Sequence, residues 1–340
     1  MRAAIIHAPL EMKVGDWETP RPRPGEALIS VAAAGICAGD MYFYLGKNPY
    51  ACYPQICGHE IAGVVIEVAG DGSDLRPGTR VVVEPFIGCG ACYPCRIGKS
   101  NCCTRLKIIG VHQPGGYAEL LTAPAKNLHV VPDDLSLATA SFAEPVAIAL
   151  QACRRAELAE GERVLVLGSG PIGLALIEVA RARGARVAAT DLLKSNLDVA
   201  AQLGAEVLPA DEKLTRAVLD LTGGEGMPVV IEATGNPRAI ERTVELVAAG
   251  GRIVIVGLIK QGIGVMFPGL DFTRKEMTVL GSRASVNCFP EALSLLSHGY
   301  VRYPEVTARF DLWEAPRIFA ELAARPGSVH KAILVREGFQ

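Results

Sequence analysis

Five cysteines within sixteen residues form the densest group of thiols in the chain, in the run GCGACYPCRIGKSNCC. Four of them follow the spacing C-x2-C-x2-C-x7-C: Cys89, Cys92, Cys95 and Cys103. Four thiolates can surround a tetrahedral zinc ion and leave no position for a substrate. An iron–sulfur cluster is the alternative, but bacterial ferredoxin motifs place the fourth cysteine after three residues and follow it with proline, unlike this run. The spacing therefore predicts a structural zinc site, with Cys102 as a bystander unless it replaces Cys103.

A second group of candidate ligands is spread over the first 145 residues. GICAGD supplies Cys37, CGHEIAG supplies His59 and Glu60, and SFAEPVAIA supplies Glu144. A thiolate, an imidazole and one or two carboxylates can hold a zinc ion that keeps one position open for water or substrate. Each residue alone also has an ordinary explanation, since a buried cysteine is often plain core and an acid often lies at the surface. The prediction of a catalytic zinc therefore depends on their combination.

The run VLVLGSGPIG has the pattern G-x-G-x-x-G between a predicted strand and a predicted helix. Its glycines, Gly168, Gly170 and Gly173, would allow a tight turn, a close approach of a pyrophosphate and close packing of helix on strand. Asp191 closes the next predicted strand, near the offset of roughly 20 residues expected for an acid that binds a ribose 2′-hydroxyl. A plain glycine turn and a helix-capping aspartate are the alternatives. Since an acid repels a 2′-phosphate, the pattern favours NAD over NADP.

The elements around these residues change character along the chain. Up to about residue 145 the sequence predicts short strands separated by turns rich in proline and glycine. From about residue 161, apolar strands alternate with amphipathic helices, one of them predicted over PRAIERTVELVAAGG. Such alternation is typical of a parallel sheet covered on both faces. After about residue 285, two helices and a final strand, HKAILV, follow. The overall prediction is an α/β protein.

Length and composition limit the possible partners. A chain of 340 residues has room for two domains, and its net charge of −2 and lack of basic runs argue against nucleic acid or an anionic membrane as a partner. The longest apolar stretch, Val164 to Ala180, contains three glycines, a proline and a glutamate, which is unlike a membrane span. The first residues do not resemble a signal peptide, so we predict a cytoplasmic protein. In that compartment, clustered cysteines indicate metal ligands rather than disulfides.

Taken together, the motifs resemble those of the zinc-dependent medium-chain alcohol/polyol dehydrogenases over essentially the whole chain. GHEIAG, the cysteine run, EP at 144–145, GSGPIG and EATG at 232–235 stand in the order of that family. The resemblance implies a GroES-like, β-rich catalytic domain over 1–145 and a Rossmann NAD-binding domain, a doubly wound parallel sheet, over 146–284. A C-terminal segment, 285–340, would complete the catalytic domain.

Carried over residue by residue, the resemblance implies two zinc ions per chain and NAD. Cys37, His59 and Glu144 would hold the catalytic zinc, with Glu60 as an alternating ligand. A thiolate and two carboxylates would leave the zinc with a net charge of −1, so we expect one carboxylate to be displaced when the alcohol binds. The residues implied to contact the cofactor are Gly168, Gly170, Pro171, Ile172, Gly173, Asp191, Ala233, Thr234, Gly257 and Leu258.

The stretch NCCTRLKIIGVHQPGGYAELL further resembles the bacterial branch that oxidises sugar acids such as L-galactonate, and more loosely polyol and threonine dehydrogenases. The predicted substrate is therefore a small, polar, hydroxylated molecule. Arg283 in LGSRASVN stands, by family position, near the nicotinamide and the zinc cleft, where its guanidinium could bind a carboxylate. Binding the cofactor or an interface acid is the alternative, and Lys47 is a weaker candidate. By the same resemblance, the edge strand MTVLGS predicts a homo-oligomer, a dimer or a tetramer.

One position departs from the family. Family members commonly carry serine or threonine two residues after the zinc cysteine, where it relays the alcohol proton outward; here that residue is Gly39. Asp40, Tyr42 or a water on Glu144 could replace it, and a water filling the gap is the simplest explanation. Gly39 is also the only sequence support for a non-catalytic NAD-binding zinc protein. A zinc-free quinone reductase on the same fold is disfavoured because both ligand sets are present.

Overall fold

A computed structural model describes residues 1–49, 51–70, 74–325, 327 and 329–338 of the chain. Contacts between Cα atoms divide the protein into two compact units. The first comprises Met1–Glu144, Phe289–Ser297 and Pro304–Gln340, and the second comprises Pro145–Cys288 and His298–Tyr303. The predicted domain ranges 1–145, 146–284 and 285–340 stay a prediction. None of the described helices is long and apolar enough to cross a membrane.

The described residues form strands and helices with the following bounds. The strands are β1 (Arg2–Ala8), β2 (Glu11–Asp16), β3 (Glu26–Ile36), β4 (Glu60–Val68), β5 (Arg80–Val83), β6 (Phe86–Ile87), β7 (Lys107–Ile108), β8 (Leu120–Pro124), β9 (Leu128–Val130), β10 (Arg163–Leu167), β11 (Arg186–Thr190), β12 (Glu206–Val207), β13 (Met227–Glu232), β14 (Val247–Ile255), β15 (Thr278–Gly281), β16 (Ala308–Asp311) and β17 (Ala332–Val335). The helices are α1 (Ala38–Tyr44), α2 (Tyr93–Arg96), α3 (Leu137–Ala140), α4 (Ala143–Arg155), α5 (Pro171–Ala182), α6 (Lys194–Gln202), α7 (Leu214–Leu221), α8 (Pro237–Leu246), α9 (Gly269–Lys275), α10 (Phe289–Ser297) and α11 (Ala315–Ala324).

The first unit is built on a largely antiparallel sheet in the order β16-β17-β3-β4-β5-β9, with β8 also paired to β3. β3 lies between β17 and β4 and is buried along nearly its whole length. In the ladder, Ala332 of β17 faces Ile36, and Glu60 of β4 faces Gly35. Three neighbouring strands thus bring the residues around Cys37, Glu60 and the start of β17 to one end of the sheet.

The first unit also contains a hairpin that was not among the predicted strands. β1 and β2 pair antiparallel, with Ile5 opposite Lys13. The central residues of β1 are all buried in a core that includes Phe43, Tyr117 and Phe319. Continuous burial removes the alternation of apolar and polar residues that would have marked β1 as a strand.

The second unit is a parallel sheet in the order β12-β11-β10-β13-β14-β15. This is the strand order of dinucleotide-binding sheets, in which the direction of winding reverses between the first and fourth strands. Here those strands are β10 and β13, both apolar and buried at nearly every position. The carboxyl ends of β10, β11, β13 and β14 carry the predicted cofactor residues, so the topology places that whole set at one edge.

Helix α8 ends earlier than the sequence predicted. The pattern PRAIERTVELVAAGG was assigned to one helix, but α8 stops at Leu246 and the remaining residues begin β14. The Lys275 ammonium group binds the carbonyl oxygens of Val244 and Val247, at 2.6 and 2.7 Å, and so satisfies acceptors at the helix end. Gly250, at φ 73°, follows in a conformation that a helix does not allow.

Candidate metal centres and cofactor loop

The four cysteines predicted to bind a structural zinc form one cluster in the first unit. The Sγ atoms of Cys89, Cys92, Cys95 and Cys103 all lie within 4.8 Å of one another. Cys92 Sγ is 3.5 Å from Cys95 Sγ and 3.7 Å from Cys103 Sγ, and these thiols are free. Cys102 is exposed and lies outside the cluster, so the fourth member is Cys103.

Hydrogen bonds from backbone N–H groups stabilise the ionised form of two of these thiols. Those of Ala91 and Cys92 lower the pKa of Cys89 to about 5. Those of Cys95 and Thr104 lower the pKa of Cys92 to about 7. Burial and the neighbouring Cys92 thiol raise the pKa of Cys95 to about 11, because thiolates this close repel one another. A divalent cation relieves that repulsion, so this donor set fits a closed zinc site.

A mixed donor group lies at the end of the first unit's sheet. One ligand atom each from Cys37, His59 and Glu60 lies within 4.8 Å of the others. Cys37 caps the N-terminus of α1, His59 directly precedes β4, and Glu60 is its first residue. Cys37 and His59 are half-buried and Glu60 is buried, so the donors are shielded but reachable. Thiolate, imidazole and carboxylate are the donors that an open zinc site uses.

Glu144, the fourth predicted ligand of the catalytic zinc, lies near this group without belonging to it. The carboxyl group is buried in the first turn of α4. Burial raises the pKa of Glu144 to about 7, and the charges of His59, Glu60 and Lys331 also act on it. The structure therefore brings three of the four predicted ligands together and places the fourth within reach of their charges.

Asp40 holds the backbone of both ligand-bearing segments. Its carboxylate accepts hydrogen bonds from the N–H groups of Cys37, at 2.9 Å, and Gly58, at 3.2 Å. Its Oδ1 is also 3.4 Å from Nδ1 of His59, close enough for charge attraction although the contact does not meet hydrogen-bond geometry. With Nδ1 facing this carboxylate, Nε2 would be the ring nitrogen left to bind a metal. Burial alone would raise the pKa of Asp40, but His59 and the donated hydrogen bonds bring it below its ordinary value. This geometry favours an orienting role over the proton relay suggested for Asp40.

The glycine-rich loop of the second unit leads from β10 into α5. Gly168 has φ 93°, a conformation suited to glycine. A Cβ on Gly173 would lie far inside van der Waals contact with the carbonyl oxygen of Gly168, so the helix can approach the strand only at a glycine. Gly170 caps α5, and a Cβ there would meet nothing within 4 Å. The open N-terminus of α5 is a position where a helix binds phosphate groups.

Asp191 lies at the carboxyl end of β11, as the cofactor hypothesis requires. Its carboxylate accepts hydrogen bonds from the N–H groups of Ser169, at 2.7 Å, and Leu193, at 2.8 Å. One bond to each oxygen leaves further lone pairs available to a ribose hydroxyl. Asp191 therefore supports the glycine loop and can serve as an acceptor, whereas α6 has Leu193 at its N-cap and no side-chain cap, so the described contacts do not show the helix-capping alternative.

Two family models match the sequence. One, the alcohol dehydrogenase GroES-like domain, covers residues 23–133, and the other, zinc-binding dehydrogenase, covers residues 171–298. The chain belongs to the zinc-binding alcohol dehydrogenase family. The predicted fold class, a GroES-like domain with a Rossmann sheet, and the predicted enzyme class are thereby confirmed, as is the prediction of a zinc-binding protein.

Individual relatives span nearly the whole dehydrogenase. A zinc-type alcohol dehydrogenase-like protein of Haemophilus influenzae is 37% identical, over 96% of this chain and 96% of its own. The L-galactonate-5-dehydrogenase of Escherichia coli is 37% identical, over 90% of this chain and 93% of its own. A crystal structure of a short chain alcohol dehydrogenase from Escherichia coli, complexed with NADH, superposes with a TM-score of 0.91 at 30% identity. That alignment covers 98% of this chain and 99% of the other.

The remaining predicted cofactor residues of the dehydrogenase follow the carboxyl ends of β13 and β14. Ala233 and Thr234 form a turn that the buried Glu232 carboxylate holds, accepting a hydrogen bond from the Thr234 N–H at 2.7 Å. Gly257 and the strongly exposed Leu258 follow β14. Pro171 and Ile172 occupy the first turn of α5. These positions stay candidates for cofactor contact.

Gly39 lies exposed in the first turn of α1, beside the mixed donor group. A Cβ there would be 3.7 Å from His59 Cε1 and 4.0 Å from Cys37 Sγ, which is ordinary contact. The serine or threonine usual in the family would therefore fit, and its absence does not follow from lack of space. Tyr42, one of the suggested replacements, is 46% exposed on the same helix.

The two residues suggested to bind a substrate carboxylate lie in different units. Arg283 is exposed in the second unit, two residues after β15 and directly before Ala284, which has φ 45°. Lys47 is exposed in the first unit, shortly after α1. Each is therefore accessible within its own unit, and the assignment of either to the substrate stays a prediction.

Lys331 is a charged neighbour of the mixed donor group, and the sequence patterns did not identify it. It directly precedes β17, and its Nζ donates a hydrogen bond to Oε1 of Glu60. Both side chains are buried, so each charge depends on the other for compensation. The sequence placed Lys331 within the predicted final strand, HKAILV, and that pattern does not indicate its partner.

Proposed function

We propose that this dehydrogenase oxidises a secondary hydroxyl group of a sugar acid to a ketone, with NAD as the hydride acceptor. The observation that carries the substrate class is the 37% identity to L-galactonate-5-dehydrogenase over 90% of the chain. In the reaction the carbon-bound hydrogen leaves as hydride to the nicotinamide. The hydroxyl proton leaves to solvent, so the products are a ketone, NADH and a proton.

Two donor sets would hold the metal ions of the family. Cys37, His59 and Glu144, with Glu60 as an alternative ligand, would hold the catalytic zinc. The closed cluster of Cys89, Cys92, Cys95 and Cys103 would hold a structural zinc. The catalytic zinc, when bound, supplies a Lewis acid that polarises the substrate oxygen and lowers the pKa of its hydroxyl group.

Lys331 gives Glu60 a second partner besides the metal position. While the Glu60 carboxylate stays on the Lys331 ammonium group, its charge is already compensated. The thiolate of Cys37 and the carboxylate of Glu144 would then match the two charges of a zinc ion. This arrangement supports the expectation that only one carboxylate at a time is needed as a ligand.

The second unit would bind NAD at the carboxyl edge of its sheet. The N-terminus of α5 after Gly170 offers backbone N–H groups to the pyrophosphate. Asp191 offers its remaining lone pairs to the ribose 2′-hydroxyl and would repel a 2′-phosphate. The preference for NAD rests on this carboxylate.

The proton would leave the site through water at Gly39. Its backbone is exposed, and a Cβ at this position would have only ordinary contacts with His59 and Cys37. A water molecule can occupy that space and accept the hydroxyl proton. Asp40 would orient His59 rather than carry the proton.

Arg283 would bind the carboxylate of the sugar acid. A guanidinium group forms two parallel hydrogen bonds with a carboxylate, which a neutral alditol lacks. The test compares kcat/KM for an aldonate and its alditol in the wild type, Arg283→Ala and, as the second candidate, Lys47→Ala. Arg283→Ala is expected to cost roughly 1.5–3 kcal/mol of transition-state binding for the aldonate alone. Equal losses on both substrates would make Arg283 a cofactor or structural residue, and a wild-type preference for the alditol would indicate a polyol dehydrogenase.

The sheet edge of the second unit supports a homo-oligomer. β15 ends the strand order of the described residues, so one side of this strand has no partner strand within the described part of the chain. Pairing with the same strand of a second copy would satisfy that edge. Size-exclusion chromatography with light scattering tests this, and a monomer at micromolar concentration would exclude it.

A further inference from the structure

The Gly110–Tyr117 loop, within the stretch that resembles the sugar-acid branch, packs on the metal-bearing part of the first unit. Tyr117 is fully buried, and its hydroxyl group donates to Asp40 Oδ2 at 2.8 Å. The same hydroxyl is 2.9 Å from the carbonyl oxygen of Gly35. Its position is thus defined from two sides.

Through Asp40, the hydroxyl group of Tyr117 connects to both ligand-bearing segments. The Asp40 carboxylate holds the N–H groups of Cys37 and Gly58, and faces Nδ1 of His59 at 3.4 Å. Cys37 Sγ and a ring nitrogen of His59 are two of the donors of the proposed site. A shift of the Asp40 carboxylate would therefore move both donors.

The packing between this loop and the His59 segment requires glycines. Gly58 has φ 93°, and a Cβ on it would lie 2.8 Å from the Tyr117 ring. Gly110 and Gly115 pass so close to the Gly58 carbonyl oxygen that a Cβ on either would overlap it. Two backbone hydrogen bonds, from Gly116 to Gly58 at 2.9 Å and from Tyr117 to Cys57 at 3.1 Å, fix the register. The loop therefore packs closely, and in one register, against the segment that leads to His59.

We propose that Tyr117 is a positioning residue for the catalytic metal, acting through its hydroxyl group on Asp40. Without the hydroxyl, the Asp40 carboxylate keeps its backbone donors but loses its buried side-chain donor. Cys37 and His59 then sample more positions before the metal binds, which lowers affinity for the metal and speeds its release. Loss of such an outer hydrogen bond typically weakens metal binding about 10-fold to 100-fold. The role rests on the proposed zinc site at Cys37 and His59.

The test compares Tyr117→Phe with Tyr44→Phe in the full-length, zinc-loaded enzyme. Both rings are buried in the same core and contact Phe319 edge-on, with centroids 5.7 and 5.4 Å away. The Tyr44 hydroxyl binds only the Leu10 carbonyl oxygen among its described partners, at 3.3 Å, and does not touch Asp40. The first measurement is zinc release into a colorimetric chelator, which gives a fast and a slow phase for two sites of different exposure. The second is the melting temperature over a range of zinc concentrations.

The expected result is a fast phase accelerated about 10-fold or more in Tyr117→Phe, with the slow phase unchanged and both phases unchanged in Tyr44→Phe. Asp40→Asn should accelerate the same phase, and the double variant should be no faster than Asp40→Asn alone. A Tyr117→Phe enzyme that folds only in excess zinc, beside a Tyr44→Phe enzyme that does not need it, also supports the role.

Three results would overturn the proposed role of Tyr117. They are equal zinc-release rates in the two tyrosine variants, additive effects of Tyr117→Phe and Asp40→Asn, and a Tyr117→Phe chain that does not fold even in excess zinc. A wild-type enzyme with a single zinc per chain would instead remove the proposed catalytic site itself. Failure of the proposed site and failure of the role of Tyr117 are therefore distinct outcomes.

Discussion

The Lys331 ammonium group and the Glu60 carboxylate form a buried ion pair between residues 271 positions apart in the sequence. The pair crosses β3 at Gly35, where a Cβ would overlap Oε2 of Glu60. A lysine near the end of the chain, a glycine near its beginning and a glutamate thus depend on one another. This relationship gives the proposed metal position two structural requirements that its candidate ligands alone do not reveal.

Lys331→Met is expected to destabilise the enzyme strongly. It leaves the Glu60 carboxylate buried without its cation, a change that costs about 3–5 kcal/mol when one partner of a buried pair is removed. The free energy of unfolding from urea titration measures the effect. Lys13→Met is the control, because Lys13 forms an exposed pair with Glu11 and exposed pairs contribute little to stability. Equal losses of unfolding free energy in the two variants would show that the buried Lys331–Glu60 pair contributes no more to stability than the exposed pair.

Gly35→Ala is expected to destabilise the enzyme, whereas Gly39→Ala should leave its stability nearly unchanged. The added methyl group at Gly35 forces Glu60 to move, and such overpacking costs about 1–3 kcal/mol. At Gly39 the same group makes only ordinary contacts, so stability should stay within about 0.5 kcal/mol. Thermal unfolding of the two variants checks this. Gly39→Ser should also retain activity, because its hydroxyl group would take the place of the water, and inactivation would contradict a proton path through this position.

Cys103→Ser is expected to lower the zinc content from two ions per chain to one and to lower the melting temperature. Cys102→Ser should change neither, since Cys102 lies outside the cluster. Atomic emission gives the metal content of both variants. In the wild type, mild chelation should abolish activity before it unfolds the protein, because the open site exchanges more easily than the closed one. Finding iron with acid-labile sulfide would contradict the zinc assignment.

Asp191→Asn is expected to narrow the preference for NAD over NADP. The amide keeps an acceptor oxygen for one of the N–H groups of Ser169 and Leu193, so the loop is disturbed less than by alanine, while the charge that repels a 2′-phosphate is lost. The ratio of kcat/KM values for the two cofactors measures it. Asp198→Asn, an exposed change on α6, is the control. A wild-type enzyme that used both cofactors equally would refute the role of Asp191.

The features that were predicted best are those that depend on residues close together in the sequence. The cysteine run and the glycine loop have their spacing written in a few consecutive residues, and the alternation of strands and helices identified the parallel sheet. The end of α8 was placed too late because its capping group, Lys275, comes from a distant helix.

The sequence could not reveal contacts between distant parts of the chain. Tyr117 and Asp40 are 77 residues apart. Both stand in stretches that the sequence motifs single out, but neither motif indicates that the two side chains meet. Lys331 lies in the predicted strand HKAILV and Gly35 opens GICAGD, and neither pattern indicates a contact with Glu60. Their importance comes from long-range packing, which no local pattern encodes.

The two donor sets differ in how much of the chain must be synthesised before they exist. The four-thiol cluster is complete once residues 89–103 are available, whereas the mixed site also needs Tyr117, Glu144 and, through β17, Lys331. During synthesis from the N-terminus, the closed site can therefore take up its metal long before the open one is assembled. We expect refolding of the denatured enzyme with cobalt to show the absorption of the thiolate-rich site first, and that of the mixed site only with recovery of native fluorescence. Metal uptake at the proposed catalytic site would thus report that these distant parts of the first unit have come together.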